Sequence, residues 1–172
     1  MKHPEESIEA SLAVADSPLA RELSDLTARR RILEQPAPPL PTRPRVFTVS
    51  NQKGGVGKTT TTVNIAAALA RFGAKVLVID LDPQGNASTA LGIDHHGDIP
   101  SIYDVLVEGK PLSSVIQKST EVGELYCAPS NLDLAGAEIQ MFSIERREYL
   151  LRDALERFFN EGNQYHYVFI DC

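Results

Sequence analysis

The sequence predicts an α/β fold in which a parallel β-sheet carries helices on both faces. Short apolar segments of strand length alternate with longer segments of helical periodicity, and glycine-rich turns separate them. One segment, residues 75–79, is continuously apolar, which is typical of a parallel strand that is buried on both faces. Together these observations place the chain among the open-sheet α/β proteins.

The first strand and the helix after it are predicted from composition and spacing. Residues 45–50 are rich in β-branched and aromatic residues, so we expect a short buried strand. Residues 58–72 are predicted to form a helix that ends at Gly73. The apolar residues of this helix are spaced for one packed face, and its alanines permit close packing on a sheet: Val63, Ala66, Ala67, Leu69 and Ala70.

The remaining elements complete the alternation of strand and helix. Further strands are predicted at residues 75–79, 123–127 and 167–171. Residues 101–108 and 143–159 are predicted to be helices. The second of these helices has apolar residues at core spacing, namely Leu151, Ala154, Leu155 and Phe158.

Residues 1–44 are predicted to be an appendage to a domain at residues 45–172. Residues 35–44 are proline-rich, which favours an extended linker. Upstream of the linker, a short amphipathic helix is predicted from the positions of Leu19, Leu23, Leu26, Arg29, Arg30 and Arg31. Two interpretations remain open: a solvated, marginal helix, or a small element that docks on a partner or contacts DNA phosphates through its arginines.

Composition limits the classes of protein to which the chain can belong. A chain of 172 residues, 42% of them hydrophobic, can build one core. The net charge of −6 and the pI near 5.2 argue against a strongly basic surface. No apolar run approaches the roughly twenty residues that a membrane helix needs, and the acidic start is unlike a signal peptide. We therefore expect a cytoplasmic protein without a membrane role, and the low cysteine content agrees.

The strongest functional signal is a glycine-rich loop between the first strand and the helix after it. Residues 51–60 have the sequence NQKGGVGKTT. Glycines let backbone N–H groups turn toward a phosphate, and the helix that follows presents its positive N-terminus to the anion. The sequence therefore predicts a site for a nucleoside triphosphate and Mg²⁺.

Each polar residue of this loop has an expected role. Lys58 is expected to reach the β and γ phosphates, Thr59 to supply a hydroxyl to Mg²⁺, and Thr60 to add a phosphate contact. The strict pattern of such loops has glycine where this chain has Gln52. The loop is therefore a variant with an additional lysine, Lys53, on its outer rim. Lys53 is free to serve a partner's nucleotide, and the alternative is a merely solvated lysine.

Aspartates at the C-terminal ends of two predicted strands form the expected acidic part of the site. Asp80 and Asp82 follow the strand at residues 75–79, and Asp171 ends the last strand. We expect Asp82 to orient the water that attacks the γ phosphate, with Asp80 in support around the loop and the metal. The alternative is that Asp80 and Asp82 only cap the following helix. Asp171 is predicted to meet the Mg²⁺ shell.

Three segments resemble the ParA family of partition ATPases, which are P-loop proteins with a deviant loop. They are residues 51–60, residues 80–86 (DLDPQGN) and residues 129–138 (PSNLDLAGAE), and the resemblance covers residues 45–172. It implies a P-loop NTPase fold, ATP hydrolysis with Mg²⁺, and an ATP-dependent sandwich dimer in which Lys53 reaches the neighbour's phosphates. It also implies binding to DNA without sequence preference, association with the nucleoid, and a ParB-type partner that stimulates hydrolysis.

The resemblance completes the set of predicted site residues. The expected catalytic residues are Asp82, Lys53 and Lys58, and the expected metal ligands are Thr59, Asp82 and Asp171. The residues expected to bind the nucleotide are Lys53, Gly54, Gly55, Val56, Gly57, Lys58, Thr59, Thr60, Asp80, Pro83 and Asn86.

Families related to ParA share the loop and leave alternatives open. The MinD division-site ATPases, the nitrogenase iron proteins and the arsenite pump ATPases typically carry glycine at the position of Gln52, so this residue favours ParA. Cys127 and Cys172 fall short of the four thiolates of an iron–sulfur cluster. The family normally continues beyond the point where this chain stops, so we expect an N-terminal fragment. A MinD-like membrane-positioning ATPase and a truncated, non-hydrolysing binding module remain alternatives.

Overall fold

The structure, a computed structural model, describes residues 17–33, 39–95 and 97–172. The chain divides into two units, Met1–Pro38 and Pro39–Cys172. The described part of the first unit is one helix, α1 (Pro18–Leu33). Ser17 begins this helix, because its hydroxyl accepts the backbone N–H of Ala20 at 3.2 Å.

The helix predicted near the N-terminus is thus confirmed. Its leucines at positions 19, 23 and 26 follow helical spacing and are each more than half exposed. The predicted proline-rich linker lies partly outside the described residues, and its described part, residues 39–44, forms neither helix nor strand. Within the described residues, no helix is both long and apolar enough to cross a membrane.

The second unit is built on a sheet that has five strands within the described residues, in the order β1-β5-β2-β4-β3. The strands are β1 (Arg45–Val49), β2 (Lys75–Asp80), β3 (Gln117–Lys118), β4 (Glu124–Ala128) and β5 (Tyr167–Asp171). Strand β5 pairs in parallel with both β1 and β2, and β2 pairs in parallel with β4. The short edge strand β3 pairs antiparallel with β4.

Helices cover both faces of the sheet, as predicted. They are α2 (Lys58–Arg71), α3 (Asn86–Ala90), α4 (Ile102–Leu106), α5 (Leu134–Met141) and α6 (Leu150–Asn160). Alternate side chains of β2 point to opposite faces. Val76 and Val78 join the core beneath α2 and α3, whereas Leu77 and Ile79 join the core beneath α4, α5 and α6. The continuously apolar pattern of β2 therefore reflects burial on both faces.

The expectation that the first strand is buried is wrong. All residues of β1 are exposed except Val49, which is half-buried, and the side chains of Val46 and Phe47 are 46% and 44% exposed. The physical reason is the position of β1 at the edge of the sheet, where, in the part of the chain that the structure describes, it pairs with β5 alone. One side of Phe47 is covered, because its ring stacks on Phe169 with centroids 5.4 Å apart.

The helix predicted at residues 143–159 begins later than expected. A 3₁₀ turn at Arg147–Tyr149 precedes α6, and Arg146 has a left-handed backbone with φ of 60°. A helix cannot continue through that conformation, so α6 begins at Leu150. The helix predicted at residues 101–108 is present as α4, which Ser101 and Asp104 begin with a reciprocal capping box. Strand β3 and helices α3 and α5 were not predicted.

Candidate functional site

The candidate site lies where the carboxyl ends of the parallel strands meet. The loop at residues 50–57 follows β1, the turn at residues 81–85 follows β2, and Asp171 ends β5. A concavity of about 630 Å³ opens at this edge of the sheet. Its walls are formed by Gly54, Gly55, Val56, Gly57, Lys58, Thr59, Thr60, Val63, Asn64, Asp82, Asn86 and Ala90.

The loop conformation explains why glycines occupy particular positions. Gly55 and Gly57 have φ values of 70° and 83°, in the left-handed region that L-residues rarely adopt. Gly57 is also the N-cap of α2, and no described side chain caps this helix end. The amides of the first turn of α2 therefore remain available to an anion, and the helix dipole favours negative charge there.

The two lysines of the loop occupy different environments. Lys58 is half-buried and lines the concavity, together with the half-buried Thr59 and the exposed Thr60. Lys53 is exposed and does not line the concavity. Its backbone N–H donates to the side-chain oxygen of Asn51 at 3.0 Å, which stabilises the start of the loop. Lys53 thus precedes the residues that line the concavity, and its side chain is accessible to solvent.

Asp82 and Asn86 face the loop from the other side of the concavity. The carboxylate of Asp82 accepts the backbone N–H of Gln84 at 3.0 Å and the side-chain amide of Asn86 at 3.1 Å. These two contacts restrict the orientation of the Asp82 carboxylate. A half-buried carboxylate opposite a glycine loop can orient water or bind a metal ion.

Asp80 is fully buried and does not line the concavity. One of its oxygens accepts the backbone N–H of Asp82 at 3.1 Å, and the other accepts the N–H and hydroxyl of Ser88 at 2.8 and 2.7 Å. Burial raises the pKa of Asp80, the hydrogen bonds from Ser88 and Asp82 oppose this, and the nearby Asp171 adds to it. Asp80 therefore contacts the first turn of α3, as in the capping alternative.

Asp171 lies beside Asp80, because the two residues are register partners on β5 and β2. One oxygen of Asp171 accepts the hydroxyl of Thr62 at 2.9 Å. Its other oxygen is buried and has no hydrogen-bond partner among the described residues. An unpartnered buried carboxylate oxygen suits a cation or an ordered water.

The donors near the loop fit Mg²⁺, although the protein supplies only part of a coordination shell. Among the described residues, no three His, Cys, Asp or Glu side chains come together to hold a metal ion. Mg²⁺ prefers oxygen ligands and usually retains waters and phosphate oxygens besides one or two carboxylates. The hydroxyl of Thr59 and the carboxylate of Asp82, which both line the concavity, are donors of this type. The carboxylate of Asp171 is also of this type, but it is buried and does not line the concavity.

The structure also places residues that the sequence prediction did not include. Val63, Asn64 and Ala90 line the concavity. Val63 and Asn64 follow Thr60 in the second turn of α2, so helical periodicity from the loop could have indicated them. Pro83, which was predicted to bind the nucleotide, lies instead in a neighbouring concavity of about 420 Å³ that also includes His95 and Asn131.

Comparison with known proteins assigns the family. A family model described as an AAA domain matches residues 44–172. Over 128 residues the chain is 49% identical to the chromosome partitioning protein ParA of Caulobacter vibrioides. The chain belongs to the ParA family. It is also 44% identical over 128 residues to the sporulation initiation inhibitor protein Soj of Bacillus subtilis.

These alignments to ParA-family proteins cover 74% of this chain but only 47% and 49% of the two relatives. The chain thus spans about half the length of the curated relatives it matches. Its resemblance to the ParA family, its α/β P-loop fold and its mainly parallel sheet are confirmed.

Solved structures agree with this fold. Cobyrinic acid a,c-diamide synthase from Mycobacterium smegmatis, determined with a bound ATP analogue and magnesium, superposes with a TM-score of 0.68 and 40% identity. That alignment covers 76% of this ParA-family chain and 51% of the synthase. The septum site-determining protein MinD from Pyrococcus horikoshii, complexed with Mg-ADP, superposes with a TM-score of 0.60 and 27% identity, covering 76% and 49% of the two chains.

Proposed function

We propose that this chain binds ATP with Mg²⁺ and contributes to its hydrolysis, as the nucleotide switch of a DNA partition protein. The observation that carries the proposal is the concavity in which residues 54–60 face Asp82 and Asn86. A glycine loop with an uncapped helix end on one side and a carboxylate on the other suits a triphosphate and its metal ion. The ATP analogue and magnesium in the M. smegmatis structure support this proposal.

In this proposal each loop residue contacts part of the triphosphate. Backbone N–H groups of Gly54 to Gly57 surround the phosphates, and Lys58 neutralises charge on the β and γ phosphates. Thr59, Asp82 and Asp171 would hold Mg²⁺ directly or through water. When bound, Mg²⁺ neutralises charge that develops on the phosphates during transfer.

Asp82 is proposed to orient the water that attacks the γ phosphate. Its carboxylate is restrained by Gln84 and Asn86, so it presents an acceptor to the concavity in a defined direction. Lys53 is proposed to contact the nucleotide that is bound by a second molecule. Because it is exposed on the rim and does not line its own concavity, it suits the phosphates of a nucleotide across a dimer interface.

The partners are proposed from the family. Because a relative is named chromosome partitioning protein ParA, we propose two partners for this chain. They are DNA, bound without sequence preference, and a ParB-type protein that stimulates hydrolysis. We also propose that the protein lies in the cytoplasm at the nucleoid. The net charge of −6 does not by itself attract DNA. We therefore expect DNA binding to depend on ATP and on dimer formation.

Titration with a fluorescent ATP analogue tests nucleotide binding. Lys58→Ala is expected to raise the Kd about 10- to 100-fold, because a charge-assisted contact to phosphate is lost. Lys118→Ala is the control, since Lys118 is exposed and paired with Glu124 on the edge of the sheet. Equal affinity in the Lys58→Ala variant and the unaltered chain would contradict the proposal.

Light scattering and DNA retention test the switch. Lys53→Ala is expected to retain ATP affinity within about threefold but to lose ATP-dependent dimer formation, because its contact is made only in the dimer. Retention on DNA is expected with ATP, at low salt, and not with ADP. Retention that is indifferent to nucleotide would count against a partition function, and ATP-dependent binding to liposomes instead of DNA would favour a MinD-like one.

A further inference from the structure

Ser88, in the first turn of α3, joins three segments of the domain by hydrogen bonds. It is fully buried. Its hydroxyl donates to the carboxylate of Asp80 at 2.7 Å, and its backbone N–H donates to the same oxygen at 2.8 Å. The Ser88 hydroxyl oxygen also accepts the backbone N–H of Ser130, which follows β4, at 3.3 Å. Ser88 therefore links the end of β2, the start of α3 and the segment after β4.

Each hydrogen bond among Asp80, Ser88 and Ser130 joins one donor to one acceptor. A hydroxyl has one hydrogen to donate and lone pairs to accept. Ser88 uses its hydrogen on Asp80 and a lone pair on Ser130. Asp80 accepts the backbone N–H of Asp82 with its other oxygen. Loss of any of these donors would leave the charge of the buried carboxylate poorly compensated, so the hydrogen bonds favour the present arrangement.

Asp82 depends on this arrangement for its position. The contacts of its carboxylate are to Gln84, in its own turn, and to Asn86, the first residue of α3, so neither contact attaches Asp82 to the sheet. Two bonds attach the start of the turn to the sheet. The Asp82 N–H donates to Asp80, and the Leu81 N–H donates to the carbonyl of Asp171 at 2.9 Å. At the far end of the turn, α3 is attached to Asp80 through Ser88.

We propose that Ser88 is a positioning residue, which through Asp80 holds the turn at residues 81–85 so that the Asp82 carboxylate faces the phosphate-binding loop. The effect on catalysis rests on the proposed function, whereas the effect on the turn does not. Neither Ser88 nor Ser130 lines the concavity, so neither is expected to contact the nucleotide.

Two measurements on Ser88→Ala, made on the whole chain, test this proposal. Amide hydrogen exchange is followed residue by residue by NMR, without nucleotide. Loss of the hydroxyl is expected to accelerate exchange about tenfold at Ser130, which loses its acceptor, and also at Asp82, which Ser88 does not touch. In ATP hydrolysis, kcat is expected to fall about tenfold while KM for ATP changes less than about threefold, because positioning is lost and binding is not.

Ser130→Ala is the matched control. The Ser130 hydroxyl is buried and has no partner among the described residues, and the variant retains the backbone N–H that bonds Ser88. Its exchange at Asp82 and its kcat are expected to match those of the unaltered chain. Ser88→Thr retains the hydroxyl, so its exchange rate at Asp82 and its kcat are expected to match those of the unaltered chain. If Ser88→Ala does not fold, Ser88→Cys is the second test: its thiol is a weaker hydrogen-bond donor, so faster exchange at Asp82 is expected, and unchanged exchange would overturn the proposal.

The outcomes separate this inference from the proposed function. Unchanged exchange at Asp82 in Ser88→Ala, or equal effects in Ser88→Ala and Ser130→Ala, would overturn the role of Ser88. If the unaltered chain binds no ATP, the proposed function fails, but the exchange measurement still decides whether Ser88 holds the turn.

Discussion

The hydroxyl of Thr62 on α2 donates a hydrogen bond of 2.9 Å to the carboxylate of Asp171 at the end of β5, and both residues are buried. Thr62→Val removes this donor without changing the shape of the side chain. The buried carboxylate then loses its described partner, so the free energy of unfolding is expected to fall by about 1–3 kcal/mol. Urea denaturation measures this loss.

Thr61→Val is the control for that variant. Thr61 is exposed on the same helix, so the substitution changes helix propensity in the same way but removes no buried hydrogen bond. A loss of stability in Thr61→Val as large as that in Thr62→Val would mean that the replacement of a hydroxyl by a methyl group on this helix, and not the bond to Asp171, causes the effect.

Asp80 makes the stability of the domain depend on pH in a defined direction. Its pKa in the folded state is raised above 3.8, chiefly by burial. Between 3.8 and the raised pKa, the folded state holds a proton that the unfolded state has released. The contribution of Asp80 to stability therefore falls as the pH rises through this range and stays low above it.

The measurement compares the free energy of unfolding of the unaltered chain and of Asp80→Asn across that pH range. The free energy of unfolding of the unaltered chain, relative to that of Asp80→Asn, is expected to rise as the pH falls toward 3.8. The exposed Asp98 supplies the control variant, Asp98→Asn. If this difference in free energy of unfolding instead increases with rising pH, the folded state favours the ionised form of Asp80.

Asp82→Asn separates nucleotide binding from turnover. The amide oxygen of asparagine can still accept the N–H of Gln84, so the turn is retained while the negative charge is lost. We expect kcat for ATP to fall about 100-fold or more, as for other acid–base residues, with the Kd for ATP nearly unchanged. Single-turnover hydrolysis and ATP titration measure the two quantities. Undiminished turnover would remove Asp82 from its proposed role.

Gly85 is required for two reasons that can be separated. Its φ is 63°, and a β-carbon added there would lie 2.5 Å from Cε1 of His95. Gly85→Ala is therefore expected to lose more stability than the roughly 1–2 kcal/mol that the left-handed backbone costs a non-glycine residue. Gly162→Ala is the control, because Gly162 also has a positive φ but open space around it.

The double variant Gly85→Ala with His95→Ala completes this test. If the contact with the ring contributes, the double variant is expected to be more stable than the sum of the two single losses predicts. Additive losses in thermal unfolding would assign the whole effect to the backbone.

The two cysteines are expected to differ in reactivity. Cys127 is fully buried and burial raises its pKa, whereas Cys172 is exposed. A thiol reagent is expected to label Cys172 quickly and Cys127 only at the rate at which the domain opens. Cys172→Ser should therefore leave only the slow phase in a native labelling time course. A fast phase in that variant would show that β4 is accessible in the native state.

The sequence predicted the elements that follow local rules. The parallel strands and α2 have strong periodicity, and the glycine loop has a motif of which residues 54–60 line one concavity. Helix α3 has only five residues, too few to display helical periodicity, and it lacks the side-chain capping box that begins the equally short α4. The exposure of β1 was not predictable, because composition does not reveal whether a strand lies at the edge of a sheet.

The separation of Asp80 from Asp82 illustrates what sequence alone leaves open. Two residues apart on an extended strand, they would point to the same side. However, β2 ends at Asp80 and a turn follows, so one carboxylate is buried and the other lines the concavity. Ser88 was missed for a related reason. Its contacts with Asp80 and Ser130 depend on β2 and β4 being neighbours, which the strand order provides and local sequence does not.

The outer side of β1 pairs with no other strand within the described residues. Its backbone donors and acceptors there are open, beside the nearly half-exposed side chains of Val46 and Phe47. Such an edge strand can pair with another extended segment, including β1 of a second molecule. Self-association through this side of β1 is therefore expected to increase with protein concentration, and Val46→Lys is expected to oppose it by placing a charge there.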